Sequence, residues 1–293
     1  MSPTPYLELE GVAAHLGERR VFDNLSLRLN LGEHAVVLGP NGAGKSALVK
    51  LISREIYPVV QQDSSLRLFG DRTVNLWQLR QRIGLVSSDL ERLYNPRVCA
   101  NDVVLSGCFG SVGIGRSQTP TPAMQQRVAE LMDQLGLLEL AQERFGHLSE
   151  GQRRRLLIAR ALVQKPDVLV LDEPTNALDL KARHQLLELM RQLSCGGTTL
   201  LLVTHQIEAV IPEIQRCVML KAGQLMADGP CDQVLTSPNL SALFETPLQL
   251  LSALKLLEVG LESLPELALQ VARASFASLA AVRTGSLVHV ATS

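Results

Sequence analysis

Three clusters of polar residues in this chain have types and spacings that could do chemistry. Residues 39–46 read Gly39-Pro40-Asn41-Gly42-Ala43-Gly44-Lys45-Ser46, with Ala47 next. The pattern G-x-x-x-x-G-K-[ST] suits a polyphosphate. Its glycines let backbone N–H groups converge without side chains in the way, its lysine reaches the terminal phosphates, and its hydroxyl can ligate a divalent cation. The bland alternative is a glycine-rich turn with an exposed lysine, but a chance match is only on the order of one in a hundred for such a chain. A second cluster closes the run V-L-V-L-D-E at 168–173. Its four apolar residues place Asp172 and Glu173 at the end of a buried strand, where ligands bind in open α/β sheets. An aspartate there can take part in holding Mg²⁺. A glutamate there can orient and polarise a water molecule, a role worth roughly 10²–10⁴-fold in rate. The third cluster is Ser149, Gly151 and Gln152, just before a helical pattern containing Arg153, Arg154, Arg155 and Arg160. Ser149 alone would be an ordinary helix cap. His205, after the apolar run 199–203, would alone be an ordinary structural histidine.

These residues need a frame, and the hydrophobic pattern supplies one. Residues 6–10 and 25–31 alternate apolar and polar as half-exposed strands do. Residues 35–38, 168–171 and 199–203 are short continuous apolar runs, as expected of strands buried on both faces. Helical patterns occupy 46–52, 123–140, 152–164 and 180–194. Strands alternating with helices imply a parallel α/β sheet. From about 89 to 163 the chain reads mostly helical, apart from a Gly/Ser/Thr/Pro-rich loop at 106–122, and this stretch looks like an inserted helical subdomain. The main domain is expected to span 5–238. Residues 239–293 read as a mainly helical extension, Leu- and Ala-rich with helix-like spacing over 248–283 and without a motif.

Composition narrows the function classes. The chain has 293 residues, is 46% hydrophobic, and carries a net charge of −1, so a sizeable core is expected and a bulk basic face for nucleic acid is not. Aromatic residues make up 3%, which argues against a base-stacking platform. Cys99, Cys108, Cys195, Cys217 and Cys231 form no CxxC pair and read as buried free thiols in a reducing cytosol. The N-terminus does not read as a signal peptide, and no apolar run approaches the ~20 residues a membrane span needs.

With L-S-E-G-Q at 148–152, the phosphate loop upstream and V-L-V-L-D-E-P downstream, the chain resembles the ABC ATPase family over roughly residues 5–235, with the motifs in family order. The resemblance implies a P-loop NTPase core with a mixed, mainly parallel sheet, an N-terminal antiparallel β portion and an inserted helical subdomain. It implies ATP and Mg²⁺ as ligands, with Ser46 and Asp172 on the metal. Glu173 is implied as the catalytic carboxylate and His205 as the switch histidine contacting the γ-phosphate. Ser149, Gly151 and Gln152 would cap the nucleotide of a second subunit, and Asp179, in Asn176-Ala177-Leu178-Asp179, would belong to the loop crossing that interface. The implied partners are a second copy or a paralogous ATPase subunit and separate membrane permease subunits, coupled through the helical insertion and residues 88–98. The resemblance also allows a substrate-binding protein. The implied location is cytoplasmic, peripheral on the inner face of the membrane. The alternative is a soluble ABC ATPase acting on ribosomes, DNA or regulation, but such proteins usually carry two cassettes, a coiled coil or a basic insertion.

Four departures from the family pattern stand out. Glu150 replaces a glycine of the usual L-S-G-G-Q. Ser88 stands where I-G-x-V-P-Q segments end in glutamine and is too short to reach as far, leaving a water or Asp89 to intervene. Leu16, beside His15, stands where an aromatic often stacks on adenine, and Ala47 stands where threonine is frequent. The I-G-L-V-S-S and V-V-L-S-G segments are similar to the molybdate-associated and iron-uptake-like branches.

Overall fold

The computed structural model describes residues 4–252 and 288–292. The chain opens with β1 (Pro5–Leu16) and β2 (Arg19–Asn30), antiparallel and joined by a two-residue turn at Gly17 and Glu18. Along β2 the inward positions Phe22, Leu25, Leu27 and Leu29 are buried, and an irregularity in the pairing near Val12 moves the inward set by one residue. Then come β3 (Ala35–Leu38), α1 (Lys45–Ile52) and β4 (Ser65–Leu68), the last pairing with the free edge of β1.

Next in order are α2 (Leu76–Arg82), β5 (Ile83–Val86), α3 (Ser88–Arg92), α4 (Ala100–Ser106), α5 (Pro122–Gln134) and α6 (Glu150–Leu162). The run continues through β6 (Val168–Asp172), α7 (Leu180–Cys195), β7 (Thr199–Thr204), β8 (Arg216–Lys221) and β9 (Gln224–Pro230). The strands form one sheet in the order β5-β6-β7-β3-β8-β9, parallel except for β9. The continuous apolar runs have a simple cause. Val36, Leu38, Leu169, Leu171, Leu200, Leu202 and Met219 face a core shared with α4–α7. Ala35, Val37, Val168, Val170, Leu201, Val203 and Leu220 face a second core shared with α1 and the β1–β2–β4 sheet. With both faces covered, neither set of alternating side chains is polar.

The carboxyl ends of β6, β7 and β3 lie side by side, with Asp172 paired to Val203 and Leu38 to Thr204. The glycine-rich loop, the acidic pair and the Thr204–His205 step therefore leave the sheet at the same end of its strands.

After β9 come α8 (Cys231–Val234), α9 (Ser237–Phe244), β10 (Leu248–Ser252) and β11 (Val288–Thr292). Residues 248–252, expected to be helical, are a strand paired antiparallel with 288–292. The rest of that expected helical stretch lies outside the described residues. The cysteines are free, but the expectation that they are buried holds only for Cys108 and Cys217; Cys195, at the end of α7, is exposed. Among the described residues no helix is long and apolar enough to cross a membrane.

Candidate functional site

The glycine-rich loop joins the buried strand β3 to α1. Its glycines have separate reasons. Gly42 and Gly44 have φ of +80° and +108°, which only glycine adopts without strain, and a Cβ on Gly44 would sit 2.8 Å from the Phe22 ring. Gly39 is needed for closeness: a Cβ there would collide with the Leu220 carbonyl of β8. No side chain caps α1, and its first turn carries no acidic residue, so its N-terminal N–H groups are left for an external anion. Asn41, Gly42 and Ser46 are exposed. Ala43 and Ala47 are buried in the core, so each has only its backbone to offer a ligand.

Lys45 turns back into this loop. Its ammonium donates to the carbonyls of Gly39 (2.7 Å) and Pro40 (3.1 Å) and lies 3.4 Å from Glu173 Oε1. Glu173 adopts φ of +49°, unusual for a residue with a side chain, while its N–H donates to the Val203 carbonyl at 2.8 Å. Such backbone strain is found where surrounding contacts over-determine a conformation, often at functional sites. Here the contacts are on the carboxylate: the Thr204 hydroxyl donates to Oε2 at 2.9 Å, and His205 Nδ1 lies 2.8 Å from Oε1. Lys45, Glu173 and His205, far apart in the sequence, thus form one cluster.

Asp172 sits beside it in a different condition. Burial first, then the neighbouring Glu173, push its carboxyl up to about 6, against the pull of Lys45. Its Oδ1 is buried without a hydrogen-bond partner. A buried oxygen with no donor is costly unless something cationic engages it. With the exposed Ser46 hydroxyl at the start of α1, it matches the hard oxygen ligands Mg²⁺ prefers.

The other predicted residues stand apart from this cluster. Ser149 is the N-cap of α6 in a reciprocal capping box: its hydroxyl accepts from Gln152 N–H (3.2 Å), and Gln152 Oε1 accepts from Ser149 N–H (2.8 Å). Gly151 is close-packed, since a Cβ there would lie 2.8 Å from the Ala182 Cβ of α7. Asp179 caps α7, accepting from Ala182 N–H at 2.7 Å. Ser88 opens α3, and the next residue, Asp89, pairs with Lys50 of α1 at 3.0 Å. Leu16 and His15 end β1 and are exposed.

Sequence reasoning missed Thr204 and Gln206. Besides holding Glu173, the Thr204 hydroxyl accepts from Gln206 N–H (3.0 Å). Gln206 accepts from the Thr175 hydroxyl (3.0 Å) and donates to Asn176 (2.8 Å). This lattice ties the loop after β6 to the loop after β7. The available signal was a hydroxyl closing an apolar run immediately before a histidine.

The chain is similar to known proteins over most of its length. The family model described as ABC transporter matches residues 22–176. The cobalt import ATP-binding protein CbiO of Rhodobacter capsulatus is 35% identical over 238 residues, covering 80% of this chain and 81% of that protein. A structure described as a metal-chelate type ABC transporter in an inward-facing conformation aligns with a TM-score of 0.71 at 30% identity, covering 85% of this chain and 92% of the other. A dimeric ATP-binding cassette in a post-hydrolysis state, bound to ADP and Pi, aligns with a TM-score of 0.64 at 26% identity, covering 76% and 98%. A glycine-rich loop, an acidic strand end and a polar strand end brought to one end of the sheet, together with these matches, place the chain in the ABC transporter family, of which it carries the ATP-binding domain.

Proposed function

We propose that the chain hydrolyses ATP to drive an import system, working as a head-to-tail dimer on separate membrane permease subunits at the cytoplasmic face. The observation that carries the hydrolytic reading is the Lys45–Glu173–His205 cluster at the carboxyl ends of β3, β6 and β7. Lys45 is held by two loop carbonyls and by Glu173. A triphosphate in the loop competes for that ammonium and draws it from Glu173. The freed carboxylate, still oriented by Thr204 and His205, can then accept a proton from an attacking water. His205 is placed to meet the terminal phosphate. Ser46 and Asp172 are the residues to hold Mg²⁺, which when bound supplies charge neutralisation on the phosphate oxygens.

The dimeric reading is supported by the start of α6. The capping box keeps the Ser149 hydroxyl proton free to donate, at the exposed start of a helix whose N-terminal end favours anions. Ser149 and Gly151 would close over the nucleotide of a second subunit, as the dimeric form of the neighbouring cassette suggests. Import is supported by the likeness to CbiO, whose name describes cobalt import.

The deciding variant is Glu173→Gln. It should bind Mg·ATP as the parent does, while turnover falls by roughly 10²–10⁴-fold, because an amide cannot take the proton. Turnover within about threefold of the parent would remove Glu173 from the catalytic role. Co-purification with a polytopic membrane protein would support transport; stable association with ribosomes or DNA in its place would sink it.

A further inference from the structure

The turn that joins β8 to β9 touches the glycine-rich loop from behind. Lys221 pairs with Gln224, which leaves Ala222 and Gly223 as a two-residue hairpin loop with φ of +48° and +77°. Two successive positive φ values mark a type I′ turn, which favours Asn-Gly. Alanine enters that conformation only at a cost, so surrounding contacts must hold the turn in shape. Those contacts are specific. The Gly223 N–H donates to the Ala43 carbonyl at 2.9 Å. A Cβ on Gly223 would collide with the Val21 carbonyl of β2. At the end of β8, the Leu220 carbonyl lies so close to Gly39 that no side chain fits there. On its outer side Lys221 donates to the Ala242 carbonyl at 2.6 Å and pairs with Glu245 at 2.9 Å, at the end of α9. The turn is thus wedged between β2 and the loop and tied down from outside.

We propose that this turn, through Gly223, is a positioning element for the phosphate loop. The inference rests on the reading of that loop as the ATP site. The physical link is the planar trans peptide: the Ala43 carbonyl and the Gly44 N–H belong to one unit and point in opposite directions. Pinning the carbonyl to Gly223 therefore aims the Gly44 N–H away from the turn, as a donor to a phosphate. The β8–β9 hairpin bonds the loop at Ala43 and packs closely against it at Gly39, in addition to the strand and helix that the loop joins.

The first test needs no substitution. Hydrogen exchange of the parent chain is measured with and without a non-hydrolysable Mg·ATP analogue. The amides of 221–224 should exchange roughly tenfold more slowly with nucleotide, since the bound state rigidifies the turn as well as the loop. The second test is nucleotide titration alongside thermal melting. Gly223→Ala should weaken ATP binding by about tenfold or more. Ala222→Asn relieves the positive φ without touching the loop, so it should raise Tm and leave affinity unchanged. If Gly223→Ala does not fold, Lys221→Met keeps the turn and removes its outer anchor, and should weaken binding by about threefold. Unchanged affinity in a folded Gly223→Ala chain of lowered Tm would make the glycine merely structural and overturn the proposal. Unchanged affinity in Lys221→Met, together with unaltered exchange at 221–224, would do the same. A parent chain that binds no nucleotide overturns the ATP reading, and the proposal with it.

Discussion

Two helix starts in this molecule carry polar residues of the proposed site and treat them in opposite ways. At α1 the cap is Gly44, no side chain engages the first turn, and the nearest charge is cationic. At α6 Ser149 and Gln152 satisfy each other's backbone donors, and Glu150 adds an anion in the first turn. The first start is left unsatisfied and awaits an anion, while the second is stable by ordinary capping. The contrast separates a surface that must bind something from one that can wait. The proposed division of the site between two subunits would use both: a loop that holds its ligand, and a stiff helix start that closes on it without having to be ordered.

Breaking the loop end should have the largest effect. Lys45→Ala removes a charge-assisted contact of about 1.5–3 kcal/mol, so ATP affinity of the isolated subunit should fall roughly tenfold to a hundredfold. A titration showing the parent's affinity would take Lys45 out of the site and erase the contrast.

Asp172 sharpens the comparison from the strand end. Its folded-state carboxyl lies at about 6, above the ordinary carboxylate value. A group raised in this way contributes stability that is full below the ordinary value and is lost as pH rises through about 6. In metal-free, nucleotide-free protein, Asp172→Asn should therefore gain stability over the parent progressively between about pH 4 and 7, by on the order of 2 kcal/mol at the upper end, read as a rising Tm difference. A pH-independent difference would mean that the carboxyl is not strained by burial.

The smallest effect belongs to α6. Ser149→Ala removes a cap and should cost about 1 kcal/mol, a few degrees in Tm. ATP affinity of the isolated subunit should stay at the parent's value while turnover falls. Affinity that drops in step with turnover would place Ser149 over its own subunit's loop and undo the two-subunit reading.

How legible these regions were depended on how local their causes are. β3, β6 and β7 were readable because burial on both faces removes polar residues from the run itself. β9 was not, since its exposed edge residues follow no alternation that periodicity could catch. Leu248–Ser252 was misread because its pairing partner lies at 288–292, and a short leucine-rich segment takes its conformation from what it meets. Lys45, Asp172 and Glu173 could be found by spacing, and His205 through the family resemblance. The clasp on Glu173 by Thr204 could not, because neighbouring strands bring it there. The reason for Gly39 was equally hidden, since the Leu220 carbonyl that forbids a side chain is supplied by a distant strand.

The side-by-side pairing of β6, β7 and β3 has a consequence for how this protein can fail. Hydrogen-bonded strands do not slide by fractions of an ångström; a slip of one residue would turn every buried side chain to the opposite face. The spacing of the three loops is in that sense digital. Lesions in the two cores, such as Val170→Ala or Leu202→Ala, have no graded route to a slightly misaligned site. They reduce the fraction of molecules that are folded and leave each folded molecule with its normal chemistry. Such variants would therefore show up as heat-sensitive alleles with lowered abundance and ordinary KM, and would be rescued by cooler growth.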